Sequence, residues 1–219
     1  MTDNASARAE ILQRVSRGVG QADFAARRAA AESALAAPVR GPQPVIDSRL
    51  STRFQSRAES LASTVERVLG PAAAVAAVAQ YLAAGKLGSV AVVTSDISEF
   101  DWSGGGLTVR VGAAVDADLV GISSCFCAIA ETGTLMLLSG PATPASVSLL
   151  PKTHIALVPL SRIVATMEDA FALLRREQGC VPRAINFISG PSRTGDIEQT
   201  IVLGAHGPCA VHLVLLESL

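Results

Sequence analysis

The residues best suited to chemistry form one run, Ser189-Gly190-Pro191-Ser192-Arg193-Thr194-Gly195-Asp196-Ile197-Glu198. The apolar stretch 184–188 before it reads as a strand, and the polar residues predict a helix over about 193–201. A turn of small residues leading into a helix start exposes backbone N–H groups, and the helix dipole there favours an anion. Ser192 and Thr194 add hydroxyl donors, and Arg193 can grip a carboxylate or phosphate through two parallel hydrogen bonds. The carboxyl end of a strand is also where ligands of open α/β sheets bind. The same residues suit a plain helix cap, with Ser192 as N-cap and Asp196 and Glu198 tuning the first turn.

Three further places carry polar groups of chemical interest. In Gly204-Ala205-His206-Gly207-Pro208, two glycines around a histidine permit a sharp backbone. His206 is a candidate acid or base, and equally a loop histidine bonded to backbone. In Glu131-Thr132-Gly133-Thr134, a carboxylate on a tight turn can serve as base or nucleophile once desolvated. Thr132 and Thr134 can donate to an anion, although an ordinary hairpin with a solvated glutamate has the same pattern. Lys152 and His154, after Pro151, either complete an anion pocket or face water.

Other chemistries lack a pattern. Cys125, Cys127, Cys180 and Cys209 contain no two-residue spacing of the zinc-ribbon or redox kind. Cys125 and Cys127 are two apart, so on one strand they share a face and read as small core residues. The clustered spacing that holds an iron–sulfur cluster is absent, so no cofactor is expected on this chain. With His154, His206 and His212 widely spread, no metal site is expected. Net charge is −1 and the lysines are Lys86 and Lys152 alone, so nothing suggests a nucleic-acid surface. No secretory pattern opens the chain, and the apolar stretch 71–84 is broken by Gln80 and too short for a bilayer, so the expected location is cytoplasmic, away from the membrane.

Elements must position these groups. Hydrophobic residues make up 49% of the chain and aromatics only 4%, so aliphatic side chains must carry the packing, as in strands covered on both faces. Residues 4–36 read as helical, with Ile11, Leu12 and Val15 as an apolar stripe. A proline-rich linker over 37–45 separates this arm, assigned to 1–44, from a domain over 45–219. Helices are expected near 57–69, 72–84 and 163–177. Strands are expected at 89–94, 107–111, 119–123, 126–130, 134–138, 154–160, 184–188 and 210–216, with Glu131-Thr132-Gly133 as a tight turn. The alternation of strands and helices predicts an α/β fold, a mixed sheet flanked by helices, with a helical N-terminal arm.

Read together and in order, Ala130–Thr134, Leu150–His154, Ser189–Glu198 and Gly204–Pro208 resemble the LUD-domain family of lactate-utilisation protein C. The resemblance covers about residues 90–217. It implies a fold like the glucosamine-phosphate isomerase, ribose-phosphate isomerase and CoA-transferase (NagB/RpiA/CoA-transferase-like) superfamily. It also implies a non-redox accessory or regulatory role in a system oxidising L-lactate to pyruvate. The partners would be iron–sulfur oxidoreductase subunits, which would carry the clusters. The resemblance transfers no catalytic residue; the site read from the residues themselves combines Glu131 and His206 as catalytic candidates. Thr132, Thr134, Lys152, His154, Ser189, Gly190, Ser192, Arg193, Thr194 and Asp196 would hold a small carboxylate or phosphate. The alternative is a stand-alone small-molecule enzyme of that superfamily, with Glu131 as nucleophile or base.

Overall fold

The computed structural model describes residues 4–19, 23–37, 41–46, 49–197 and 200–218. The chain divides into two units, Met1–Pro44 and Val45–Leu219. The first carries α1 (Asn4–Val19) and α2 (Phe24–Ala36). Asp23 caps α2 by accepting from the Ala25 N–H at 2.9 Å. Ile11, Leu12 and Val15 are all exposed on α1. Of the linker stretch, residues 38–40 lie outside the described residues and 41–46 have no regular structure.

The second unit opens with α3 (Leu50–Ser60), then β1 (Thr64–Val68) and α4 (Pro71–Ala84). The helix expected over 57–69 is therefore half wrong. Ala62 at φ 66 breaks it, and the β-branched Thr64, Val65 and Val68 pair in parallel with a distant strand. After β2 (Val90–Val93), β3 (Thr108–Val111) and β4 (Val120–Ser124) come β5 (Cys127–Ile129) and β6 (Thr134–Leu138), joined by the expected turn. Then follow α5 (Ser146–Leu149), β7 (Thr153–Pro159), β8 (Ile163–Val164) and α6 (Met167–Gln178). α6 starts later than expected because Thr166 and Asp169 form a capping box, and Gly179 ends it at φ 66.

The largest correction falls on the run that seemed most chemical. β9 (Ile185–Ile188) leads into β10 (Arg193–Ile197) and β11 (Thr200–Leu203), an antiparallel hairpin in place of the expected helix. Thr194, Ile197, Thr200, Ile201 and Val202 are β-branched, and cross-strand pairing takes precedence over the polar helix pattern. No helix start exists there, so neither the dipole argument nor the helix-cap reading applies. Glu198 lies outside the described residues. The chain's last strand is β12 (Ala210–Leu216).

Six strands form a parallel sheet in the order β1-β12-β7-β4-β2-β3. On one face, Val93, Ile122, Ile155, Leu157, Val214 and Leu216 pack against α4 and the buried Trp102. The Trp102 indole N–H donates to the Ile97 carbonyl at 3.0 Å. The opposite face presents Ala156, Val158, Val211, Leu213 and Leu215 to Phe54 and Ala58 of α3 and to a second, four-stranded mixed sheet, β8-β5-β6-β9. The far side of that smaller sheet buries Cys127, Ile129 and Met136 under Ala170, Leu173 and Leu174 of α6. The second unit is thus layered helix, sheet, sheet, helix, an α/β fold with a mainly parallel central sheet. Phe54 is fully buried between α3 and both sheets. Phe54→Ala is expected to lose about 3–5 kcal/mol in urea unfolding; a loss under about 1 kcal/mol would mean that the layer repacks freely.

Cys125 and Cys127 do not share a face. Cys125 sits in the corner after β4 and joins the inter-sheet core, while Cys127 faces α6. Burial raises both thiol pKa values, that of Cys127 to about 12.

Candidate functional site

The segments singled out in the sequence meet at the amino ends of the central strands. The turn Glu131–Gly133 places the Glu131 N–H on the Ala165 carbonyl at 3.0 Å. Behind it runs a chain of hydroxyls: Thr132 Oγ1 donates to Thr134 Oγ1 at 2.7 Å, and Thr134 Oγ1 shares a 2.7 Å hydrogen bond with Ser189 Oγ. Ser189 and Gly190 follow β9, which pairs with β6. Two glycines set these loops on the end of α3. Gly133 (φ 70) leaves no room for a Cβ, which would lie 2.6 Å from the Ala58 nitrogen. At Gly190 (φ 83) a Cβ would lie 2.2 Å from the Leu61 carbonyl oxygen.

The hairpin joins the same end. The Ser192 N–H donates to the Pro208 carbonyl, and the Gly204 N–H donates to the Ser192 carbonyl, each at 2.9 Å. The Gly204–Pro208 loop therefore folds around Ser192, and Gly207 lies close enough that a Cβ would be 3.3 Å from Ser192 Cβ. Next along, the N–H groups of Cys209 and Ala210 donate to the Lys152 carbonyl at 2.8 and 3.1 Å, which ties this loop to the start of β7. Arg193, Lys152 and His206 are exposed, Ser192 and Glu131 half-buried, and Thr194 buried. Asp196 is on β10.

His154 is not part of that surface. It is fully buried on β7, and its Nε2 shares a 2.9 Å hydrogen bond with Ser123 Oγ. Its Nδ1 is buried without a partner, and burial lowers its pKa to about 4, so the ring is neutral at neutral pH. The Ser189–Ser192 turn also differs from its expected setting. It follows a strand of the smaller sheet and lies by the amino, not the carboxyl, ends of the large one.

A cleft of about 390 Å³ opens at the other end, beyond the carboxyl ends of β2 and β4. None of the candidate site residues named from sequence lines it, whereas Cys125 does. Its walls include Thr94, Asp96, Ser124, Phe126, Arg162 and Asn186. Ser124 Oγ donates to the Asp96 carboxylate. Arg162 makes two hydrogen bonds to Glu177, at 2.8 and 2.9 Å, and donates from Nε to the Phe126 carbonyl at 2.7 Å. Its guanidinium also lies 4.8 Å from the centre of the Phe126 ring. The signal for this place was present but faint: polar Thr94-Ser95-Asp96 and Ser123-Ser124 stand where apolar strands end.

Residues 112–216, which hold all four of these segments, match the LUD domain family. Relatives named Lactate utilization protein C include one from Shouchella clausii, 42% identical over 100 residues, or 45% of this chain and 44% of that one. One from Bacillus subtilis is 43% identical over 101 residues, 45% of this chain and 42% of its own length. One from Geobacillus kaustophilus is 40% identical over 112 residues, 49% of this chain and 46% of that one. The match spans less than half the length of each of these curated relatives. A crystal structure of a DUF162 family protein from Deinococcus radiodurans has the same fold, with a TM-score of 0.57 at 20% identity over 79% of this chain and 99% of that one. Among the described residues, no helix is long and apolar enough to cross a membrane.

Proposed function

We propose that this chain is a non-redox accessory or regulatory subunit of a system that oxidises L-lactate to pyruvate, and that its amino-end surface holds a small anion. One observation carries the reading. Four segments separated in sequence, at 130–134, 150–154, 189–197 and 204–208, come to one end of the fold and lie within residues 112–216, which match the LUD domain family. Exposed Arg193 and Lys152, on segments at the same end as a chain of hydroxyls, suit a carboxylate or phosphate, because charge-assisted hydrogen bonds to such groups are among the stronger ones. This rationale replaces the helix dipole.

Electron transfer would fall to iron–sulfur partners. In support, the buried Cys125 and Cys127 hold their protons tightly, which disfavours the thiolate that cluster ligation needs. Two experiments test the proposal. Purified with its candidate iron–sulfur subunits, the chain should co-elute with them, and deleting its gene should slow growth on L-lactate. No association together with normal growth defeats the subunit reading. For the site, L-lactate or inorganic phosphate at about 100 times its Kd should stabilise the wild type by about 2.7 kcal/mol. Arg193→Ala should abolish that gain while the free protein melts within about 0.5 kcal/mol of wild type, as expected for an exposed side chain. Unchanged stabilisation in that variant removes Arg193 from the site.

A further inference from the structure

We propose that the cleft beyond β2 and β4 is a second binding site, and that it takes an uncharged polyhydroxyl compound about the size of a monosaccharide. This goes beyond the lactate reading, since the cleft lies at the opposite end of the central sheet and selects opposite chemistry.

Topology is the first support. The chain leaves β2 for β3 on one side, whereas β4, on the other side of β2, leads on toward β7. The strand order reverses between them, and a parallel sheet opens a crevice at the carboxyl ends of such a pair. The cleft sits there.

Unpartnered polar atoms are the second support. Thr94 lines this cleft and is 1% exposed, and its hydroxyl is buried without a hydrogen-bond partner. The Asn186 side-chain amide nitrogen, from β9 on the opposite wall, is likewise buried and unpartnered. Buried polar groups without partners destabilise a fold, and two of them on residues that line one cavity mark a place where a bound molecule, after a small side-chain adjustment, would supply the missing bonds.

Charge and chemistry then choose the ligand. The charged groups on the lining are Asp96, Glu177 and Arg162, so negative charge predominates. Arg162 is already engaged by Glu177 and the Phe126 carbonyl, which leaves an incoming anion poorly served. A hydroxyl both donates and accepts. It can donate to the Asp96 carboxylate, accept from the Asn186 amide and do either with Thr94. Phe126, Leu137 and Pro144 offer apolar wall for the C–H faces of such a molecule. The volume of about 390 Å³ falls at the small end of ligand pockets.

The test uses the full chain with D-ribose, D-glucose and myo-inositol as probes, read by saturation-transfer NMR and by melting temperature. At least one probe should bind at or below about 10 mM. Thr94→Val and Asn186→Leu should each weaken that probe about tenfold or more, whereas Thr94→Ser should retain it. Both weakened variants should melt at or above the wild-type temperature, because each removes an unpartnered buried group. If one of them does not fold, the other decides. Arg193→Ala should leave probe binding intact, which separates failure here from failure of the anion site. No binding by any probe overturns the proposal, as does equal binding by the folded variants. Displacement of the probe by L-lactate or phosphate in a Thr94-dependent manner also overturns it, by making the cleft an anion site.

Discussion

Gly190→Ala should lower the free energy of unfolding by roughly 2–5 kcal/mol, combining left-handed strain of about 1–2 with overpacking of about 1–3. At φ 83 an alanine adopts a strained backbone, and its Cβ would sit 2.2 Å from the Leu61 carbonyl oxygen. That oxygen is backbone at the end of α3, so it cannot swing aside as a flexible side chain does. Gly179 supplies the control. It has φ 66 with nothing within 4 Å of the added Cβ, so Gly179→Ala should show the strain alone, about 1–2 kcal/mol. Urea unfolding of the two variants measures the difference. Equal losses would mean that the contact with Leu61 yields easily. The consequence for function follows from the hydroxyl chain. Lifting Gly190 off α3 pulls Ser189 from Thr134, so whatever Gly190→Ala protein remains folded should bind L-lactate or phosphate more weakly than wild type.

Acid should destabilise this protein as the pH falls below 6.5. His154 and His212 are buried, and burial lowers each pKa from 6.5 to about 4. His212 Nδ1 shares a 2.8 Å hydrogen bond with Thr64 Oγ1, and its ring stacks 4.0 Å from that of Tyr81. The sign follows from proton counting. Below pH 6.5 the unfolded chain protonates both rings while the native state keeps them neutral. Their stabilising contribution is therefore complete above pH 6.5, falls as the pH drops, and is lost by the time it reaches about 4. Between pH 5 and 6 the slope should approach two protons, or about 2.7 kcal/mol per pH unit. Over the whole window each histidine accounts for a loss on the order of 3 kcal/mol. Urea titrations at pH 7, 6 and 5 read the slope, and His154→Leu should roughly halve it. A flat response over this range would mean that both rings are protonated in the native state, and half the slope that one of them is.

Much of the architecture was legible in the sequence because it is local. The apolar run at 134–138 became β6 with the same ends, and those at 119–123 and 154–160 became β4 and β7 with ends shifted by a residue. The turn Glu131–Gly133 needed a glycine with positive φ, and the sequence places Gly133 there. The helical spacing of Met167, Ala170, Phe171 and Leu174 is the buried stripe of α6 against the smaller sheet. These features depend on periodicity and on single residues of special conformation, which travel with the chain whatever surrounds it.

What failed depended on partners far away in sequence. Residues 64–68 and 193–203 have mixed local preferences, and pairing settled both as strands, the first against β12 and the second as a hairpin. The histidines show the same division. Sequence marked His154 and His206 alike, but tertiary packing left His206 exposed and sealed His154 inside the core beside Ser123.

The run Ser189–Arg193 and the order of the four segments were set by sequence alone, as were the residue types that make a surface suited to anions. Tertiary structure decided that this surface has no helix start behind it and lies at the amino ends of the central strands. It also assembled a separate cleft at their carboxyl ends from three separate segments, one carrying Thr94 and Asp96, one Arg162 and one Asn186. A motif is visible only when its residues are neighbours along the chain, whereas a cleft needs them to be neighbours only across a sheet.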